Sequence, residues 1–260
     1  MTLFPRTFLF ALLLSLGATA HAAGLPDTGQ DTCYNDTAAD GVAASDPASI
    51  ARDAGTHPRQ DCRYGRDAAA AAGLIKTGAG AKGFDYTKIA NNGTTLVAGT
   101  ALGANPTDWA CTQDNITGLT WEVKAASGLR NNTSTYTWYN SNAATNGGNA
   151  GTANGGTCSG GTGCDTEKFV ADVNTAALCT YTDWRMPTQR ELLTLVYADG
   201  SSPSIDPTYF PNTVASFFWS GSSYVPVPAS AWGVGFNVGG TGAAFKAGVT
   251  YVRLVRGGQF

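Results

Sequence analysis

Six cysteines, Cys33, Cys62, Cys111, Cys158, Cys164 and Cys179, stand behind an N-terminal stretch with the features of a secretory leader. This pairing of features constrains the fold most. An exported chain meets an oxidising compartment, so an even cysteine count predicts disulfides. Fifteen pairings are open from sequence alone. Cys158 and Cys164 enclose five residues, and a small local loop between them is sterically easy. In the leader, Arg6 supplies a positive start, Phe8 to Leu16 is apolar, and Ala20-His21-Ala22 fits the small-x-small cleavage rule. Residues 1–23 are therefore expected to be a signal peptide, too short to span a membrane. No later stretch approaches about 18 consecutive apolar residues, so no membrane span is expected. The expected location is secreted or cell-surface, with the periplasm as the other exported destination.

The remaining chain fits one large domain, or a domain with an N-terminal extension, and can bury roughly 70% of its unfolded surface. The full sequence carries 16 Lys+Arg against 19 Asp+Glu, a net charge of −3. Loss of Arg6 with the leader makes it more negative, the opposite of a nucleic-acid footprint. Composition changes near residue 108. Residues 24–108 hold only four aromatics, Tyr34, Tyr64, Phe84 and Tyr86, whereas all six tryptophans lie at 109 or later. Large side chains make cores, so the main domain is expected over 109–260. Residues 24–108 read as an extension, mostly irregular, pinned by Cys33 and Cys62, with a short Ala-rich helix over Arg66 to Leu74.

Within 109–260 the pattern predicts an α+β fold. Asp114, Asn115 and Gly118 make a turn. Leu119, Trp121 and Val123 then alternate with Thr120, Glu122 and Lys124, as in a half-buried strand. Thr135 to Asn140 reads as a shorter strand. Residues 141–164 are rich in Gly, Asn and Thr and uncharged, a surface insertion that cannot fold alone. Phe169, Val170, Val173, Ala176 and Ala177 recur at helical spacing over 166–178.

Residues 183–192 (DWRMPTQREL) set up a second helix. Thr188 and Glu191 form a capping box, Pro187 keeps the entering chain extended, and Asp199-Gly200 is the stop. Leu192, Leu193, Leu195 and Val196 are its expected buried face. Trp184 is expected to pack under this corner, and Arg185 to meet a carboxylate or carbonyls. The last third is β-like: Phe217 to Ser220, then Trp232 to Val238, a turn at Gly239 to Gly242, and a strand over Val249 to Val255. In that strand Val252 and Leu254 should face away from Tyr251 and Arg253. Two helices among antiparallel strands, closed by a hairpin, make the α+β class.

Taken together, DNITGLTWEVK, FVADVNTAALC, DWRMPTQREL, YFPNT, FWSGSSY, AWGVGF and VRLVRGG, in that order over about 109–258, resemble the Lcl C-terminal-domain family, named for a bacterial collagen-like adhesin. The upstream TGQDTCY and QDCRYGRD are similar to segments that precede this domain. The resemblance implies a variant of the C-type-lectin-like fold in an exported bacterial protein, and a role similar to an adhesin of sulfated polysaccharides and host surfaces. It also implies that Cys111, before the first strand, is stapled to Cys179, at the end of a helix. The preferred bridges are then Cys33–Cys62, Cys111–Cys179 and Cys158–Cys164. This chain differs from the collagen-like adhesin in lacking Gly-X-Y repeats and in its negative charge, so binding of polyanions does not follow from the resemblance.

Catalysis is not expected. Beyond the leader the one histidine is His57, in the aromatic-poor region, and there is no Gly-x-Ser-x-Gly elbow and no zinc-ligand spacing. The formylglycine-generating enzymes share the broad fold class but use late cysteines, and none follows Cys179. No cofactor is expected. Calcium stays open, because Asp114, Asn115, Asp183, Asp199 and Asp206 offer oxygen ligands, although neither an EF-hand loop nor the WND signature of calcium-dependent lectins is present. The candidate ligand surface is Trp219, Ser220, Ser222, Tyr224, Trp232 and Asn237, where aromatic faces meet hydroxyls and an amide. The expected function is an adhesin-like binding module whose partner is a glycan or surface protein. The alternative is a structural subunit of an appendage or envelope complex. Either is compatible with a homo-oligomer.

Overall fold

In a computed structural model of the chain, residues 27–30, 32–34, 42–43, 60–68, 74–198 and 201–258 are described. Residues 1–23, the expected leader, His57, Asp199-Gly200 and most of the Ala-rich 66–74 stretch lie outside them. The framework is an antiparallel sheet of five strands. These are β3 (Tyr86–Ala90), β4 (Thr95–Leu96), β5 (Trp109–Asp114), β6 (Thr120–Glu122) and β12 (Val255–Arg256), in the order β12-β6-β5-β3-β4. A second antiparallel sheet has the order β10-β9-β8, from β8 (Phe217–Ser223), β9 (Ser230–Gly235) and β10 (Gly240–Phe245). Among the described residues two short pairs complete the strands: β1 (Thr32–Cys33) with β2 (Val42–Ala43), and β7 (Tyr136–Thr137) with β11 (Val249–Thr250). The helices are α1 (Asp61–Tyr64), α2 (Thr166–Thr175) and α3 (Gln189–Leu193).

The composition break at residue 108 is not a break in the sheet. β3 pairs with β5 from Tyr86↔Asp114 to Ala90↔Trp109. Tyr86 and Phe84 sit in the same buried cluster as Trp121 and Phe218. Phe84 and Tyr86, two of the four aromatics before 108, are thus core residues of the main body, whereas Tyr34 and Tyr64 are exposed, and the sheet draws β3 and its edge strand β4 from the stretch read as an extension.

β6 also departs from its expected half-burial. It lies between β5 and β12, and Thr120, Glu122 and Lys124 are buried along with Leu119, Trp121 and Val123. A strand covered on both faces must satisfy its polar side internally. Lys124 Nζ stands 2.8 Å from Glu122 Oε1 and 4.5 Å over the Phe169 ring. Glu122 Oε2 accepts the Leu254 N–H at 3.0 Å. Arg253 donates to the Glu122 carbonyl at 2.7 Å. Burial pulls Arg253 down to about 10, which leaves it charged at neutral pH.

The C-terminal strand expected over 249–255 is likewise two strands. β11 pairs with β7, β12 pairs with β6, and Val252, Arg253 and Leu254 between them are all buried as the chain passes from one sheet to the other.

All six cysteines are bridged, as Cys33–Cys62, Cys111–Cys179 and Cys158–Cys164. Reaching Cys111 shapes the end of α2. The helix stops at Thr175, short of the expected 178, because Ala177 (φ 46°) and Cys179 (φ 52°) turn left-handed to deliver the sulfur. α3 is also short. Past Leu193 the chain peels away, so that Tyr197 N–H meets the Ser204 carbonyl and Ala198 N–H that of Thr28.

Candidate binding face

The corner before α3 is built from the residues the sequence marked, and each uses its polar groups inside the protein. Trp184 is 2% exposed and donates its indole N–H to the Leu178 carbonyl at 3.1 Å. The Asn174 side chain clamps the Trp184 backbone at both N–H and C=O. Arg185 makes a two-pronged bond to Glu191, at 2.8 and 2.6 Å, and also meets the carbonyls of Gly257 and Gly258. Thr188 Oγ1 accepts the Glu191 N–H at 3.1 Å, and Glu191 Oε2 accepts the Thr188 N–H at 2.7 Å, a complete capping box. Burial pushes the Glu191 carboxyl up, but the bonds from Arg185 and Thr188 outweigh it and hold the group below its ordinary 4.5.

This corner carries the bulge of β8. Between Trp219↔Gly233 and Ser223↔Ala231 the register slips, so Ser220, Gly221 and Ser222 together oppose Trp232. The bulge is bolted to the corner: Gly221 N–H donates to the Pro187 carbonyl at 2.6 Å, and Gln189 N–H to Ser222 Oγ at 3.1 Å. The slip also decides which candidate residues reach the surface. Trp219 and Ser220 are fully buried. Trp219 donates to the Tyr136 carbonyl and Ser220 to that of Trp232, so neither can meet a ligand. Asn237 lies in the turn between β9 and β10, at the opposite end of β9 from Ser230 and Trp232. Ser222, Tyr224 and Trp232 remain together. The Tyr224 and Trp232 rings meet edge to face at 4.9 Å.

Trp232 differs from every other tryptophan in the chain. Trp109, Trp121, Trp138, Trp184 and Trp219 are at most 3% exposed. Four of these donate their indole N–H to a backbone carbonyl. Trp232 is half-buried on the sheet surface, opposite the exposed Ala243. Around it stand Phe245, 68% exposed, on β10, and Val225, 84% exposed, in the β8–β9 loop.

The insertion packs against this ledge through a residue that sequence reasoning overlooked. Lys246 follows β10 and is 1% exposed. Its ammonium donates to the carbonyls of Asn146 (2.7 Å) and Asn149 (2.6 Å) and to Ser223 Oγ (3.3 Å), and stands 4.0 Å over the Trp138 ring. Burial lowers the Lys246 pKa. Gly147 (φ +68°) lets the loop touch β8, since a Cβ there would lie 2.5 Å from that of Ser223. The Trp138 indole N–H bonds the Ser220 carbonyl, closing the join. On its other side the bulge residue Gly221 lines a cleft of about 440 Å³ with Tyr139, Met186, Val170 and Glu167. A larger groove of about 640 Å³ lies beside Cys179, but its one charged side chain, Arg130, is turned inward onto the Ala110 and Val123 carbonyls.

The oxygen ligands weighed for calcium are spread through the fold in local roles. Asp114 takes the N–H groups of Ile116 and Thr117, Asn115 bonds Asp85 and Thr87, Asp183 pairs with Arg256, and Asp206 takes the N–H groups of Ala81 and Thr208. Asp199 is outside the described residues. Elsewhere Asp27, Asp61 and Asp67 bring carboxylate oxygens within 4.8 Å of one another, with Asp27 turned to the N–H groups of Gly29 and Arg66.

Among the described residues no helix is long and apolar enough to cross a membrane. No curated protein and no solved structure matches this chain. The model of the Lcl C-terminal domain matches residues 110–256, more than half of the chain and the part that holds the corner, the bulge and the aromatic ledge, and the chain belongs to that family.

Proposed function

We propose that the protein is a secreted or cell-surface binding module, adhesin-like, which recognises a glycan without catalysis on a variant of the C-type-lectin-like fold. One observation carries the reading: of six tryptophans, Trp232 alone is left at the surface, paired with Tyr224 beside a bulge that the corner and the insertion hold in place. An aromatic pair grouped with other exposed apolar side chains marks an interaction surface, and such rings suit the C–H faces of sugars. Three disulfides fit an oxidising, extracytoplasmic setting. The non-catalytic part of the reading is supported by residues 110–256, which contain no histidine and no cysteine outside a disulfide, hence neither an imidazole base nor a thiol nucleophile.

The test is a glycan array together with a cell-binding assay on the purified mature protein. Specific retention is the expected result, and blank results on every glycan and surface would overturn the proposal. A structural or assembly role is the second reading, favoured by the exposed Val225, Val227 and Phe245 beside the ledge, a surface that also suits a protein neighbour. A pull-down from envelope fractions, with one stoichiometric protein partner and no glycan retained, would favour it.

A further inference from the structure

The ledge and the insertion share a property that narrows the ligand. Residues 207–245 contain no Asp, Glu, Lys or Arg, and neither do residues 131–164. In a chain that is 13% charged, two such stretches are conspicuous. The fold joins them. Asn146 and Gly147 of one abut Ser223 of the other. The cation that fastens them, Lys246, is sunk beneath the surface with its charge spread over two carbonyls, a hydroxyl and an indole ring. Its field is therefore spent within the join. What these two runs present to solvent is aromatic rings, aliphatic groups, and the hydroxyls and amides of Ser, Thr and Asn, and beside the insertion loop stands an anion, the Glu167 carboxylate, which accepts the Ser141 N–H.

We infer that this face binds an uncharged sugar chain, with Trp232 and Tyr224 as the stacking platform and the 140–151 loop supplying hydroxyl and amide partners. This inference rests on the glycan-binding reading above and specifies its ligand. The electrostatics decide between ligand classes. A sulfated or carboxylated chain would lose part of the hydration of its anions against this face and gain no cation in return, a net cost. An unsubstituted hexose ring has an apolar C–H face to lay on an indole and hydroxyls that exchange water for amide and hydroxyl partners at little net cost. Affinity would then come from ring contact and buried area, and salt would screen little of it.

The experiment uses the full mature protein and matched probes: a panel of neutral oligosaccharides with their sulfated counterparts, dextran against dextran sulfate among them, at low and high NaCl. Neutral members should bind with an affinity that changes less than about twofold with salt, since no ion pair is screened. Trp232→Ala should weaken that binding about tenfold, and Trp232→Phe should restore part of it. As a check that needs no variant, a water-soluble indole oxidant should modify Trp232 before the five buried tryptophans, and bound neutral glycan should protect it. Binding confined to sulfated probes and abolished by salt would overturn this inference and leave the glycan-binding proposal standing. Neutral binding indifferent to Trp232→Ala and Tyr224→Ala, without protection from oxidation, would overturn the assigned site. No binding to any probe would remove both.

Discussion

The corner at 183–193 and the ledge on β8–β10 are tied to each other by two hydrogen bonds, yet they treat the same residue types in opposite ways. In the corner, Trp184 is buried and its N–H is used, Arg185 is locked to Glu191 and two carbonyls, and Thr188 and Glu191 satisfy each other. On the ledge, Trp232 and Tyr224 meet edge to face, both partly exposed, and Phe245 and Val225 face water. A tryptophan that fills core volume and caps a carbonyl accounts for itself through stability. A tryptophan held half-out opposite a braced bulge does not, and the natural place to look for its reason is a partner.

Removing each tryptophan should separate the two regions most clearly. Trp184→Ala should cost roughly 3–5 kcal/mol, because it empties a fully packed site. The secreted yield and the thermal midpoint should both drop sharply, and any remaining binding should follow the fraction folded. An unchanged midpoint with lost binding would move the corner into the recognition surface and dissolve the contrast. Trp232→Ala forgoes chiefly one edge-to-face contact, worth about 0.5–1.5 kcal/mol beyond area burial, and should lower the midpoint far less. A loss as large as that of Trp184→Ala would make the ledge a folding element. Thr188→Ala should cost about 0.5–2 kcal/mol through the cap, with a modest fall in midpoint and no change in affinity per folded molecule.

The smallest effect is a pH slope. With its folded pKa held below 4.5, Glu191 contributes stability that is present above 4.5 and lost as pH falls through the folded value. Asp61 and Asp114 are pushed the other way by burial, so the comparison with Glu191→Gln isolates the corner. The variant should melt lower at neutral pH and show a shallower acid decline, as read by thermal melts between about pH 3 and 6.

The corner was legible in the sequence because its signals are local. A Thr and a Glu three apart, with Pro before them, specify a helix start whatever surrounds it, whereas the cysteine pairing came through the family resemblance, since fifteen pairings are open from the residues alone. The ledge was legible only in part. Alternation along β8 does not reveal the bulge, and the bulge turns Trp219 and Ser220 inward while Tyr224 stays out. Asn237, placed with Trp232 for its amide, lies past the end of β9 in the turn to β10. Lys246 carried no local signal, because its partners lie about a hundred residues earlier. Composition hid β3 as well, since a strand needs only Tyr86 and Ile89 to enter a core that others fill. The charge-free runs were readable throughout; what the sequence could not show is that they adjoin.

Those runs have a consequence for resistance to proteolysis. Exposed loops are where proteases cut first, and trypsin-like enzymes need Lys or Arg at the cut. The chain has neither between Arg130 and Lys168, nor between Arg190 and Lys246. The insertion and the loops of the three-stranded sheet therefore offer such enzymes no residue to grip, and the ledge should persist intact where a lysine-studded one would be trimmed.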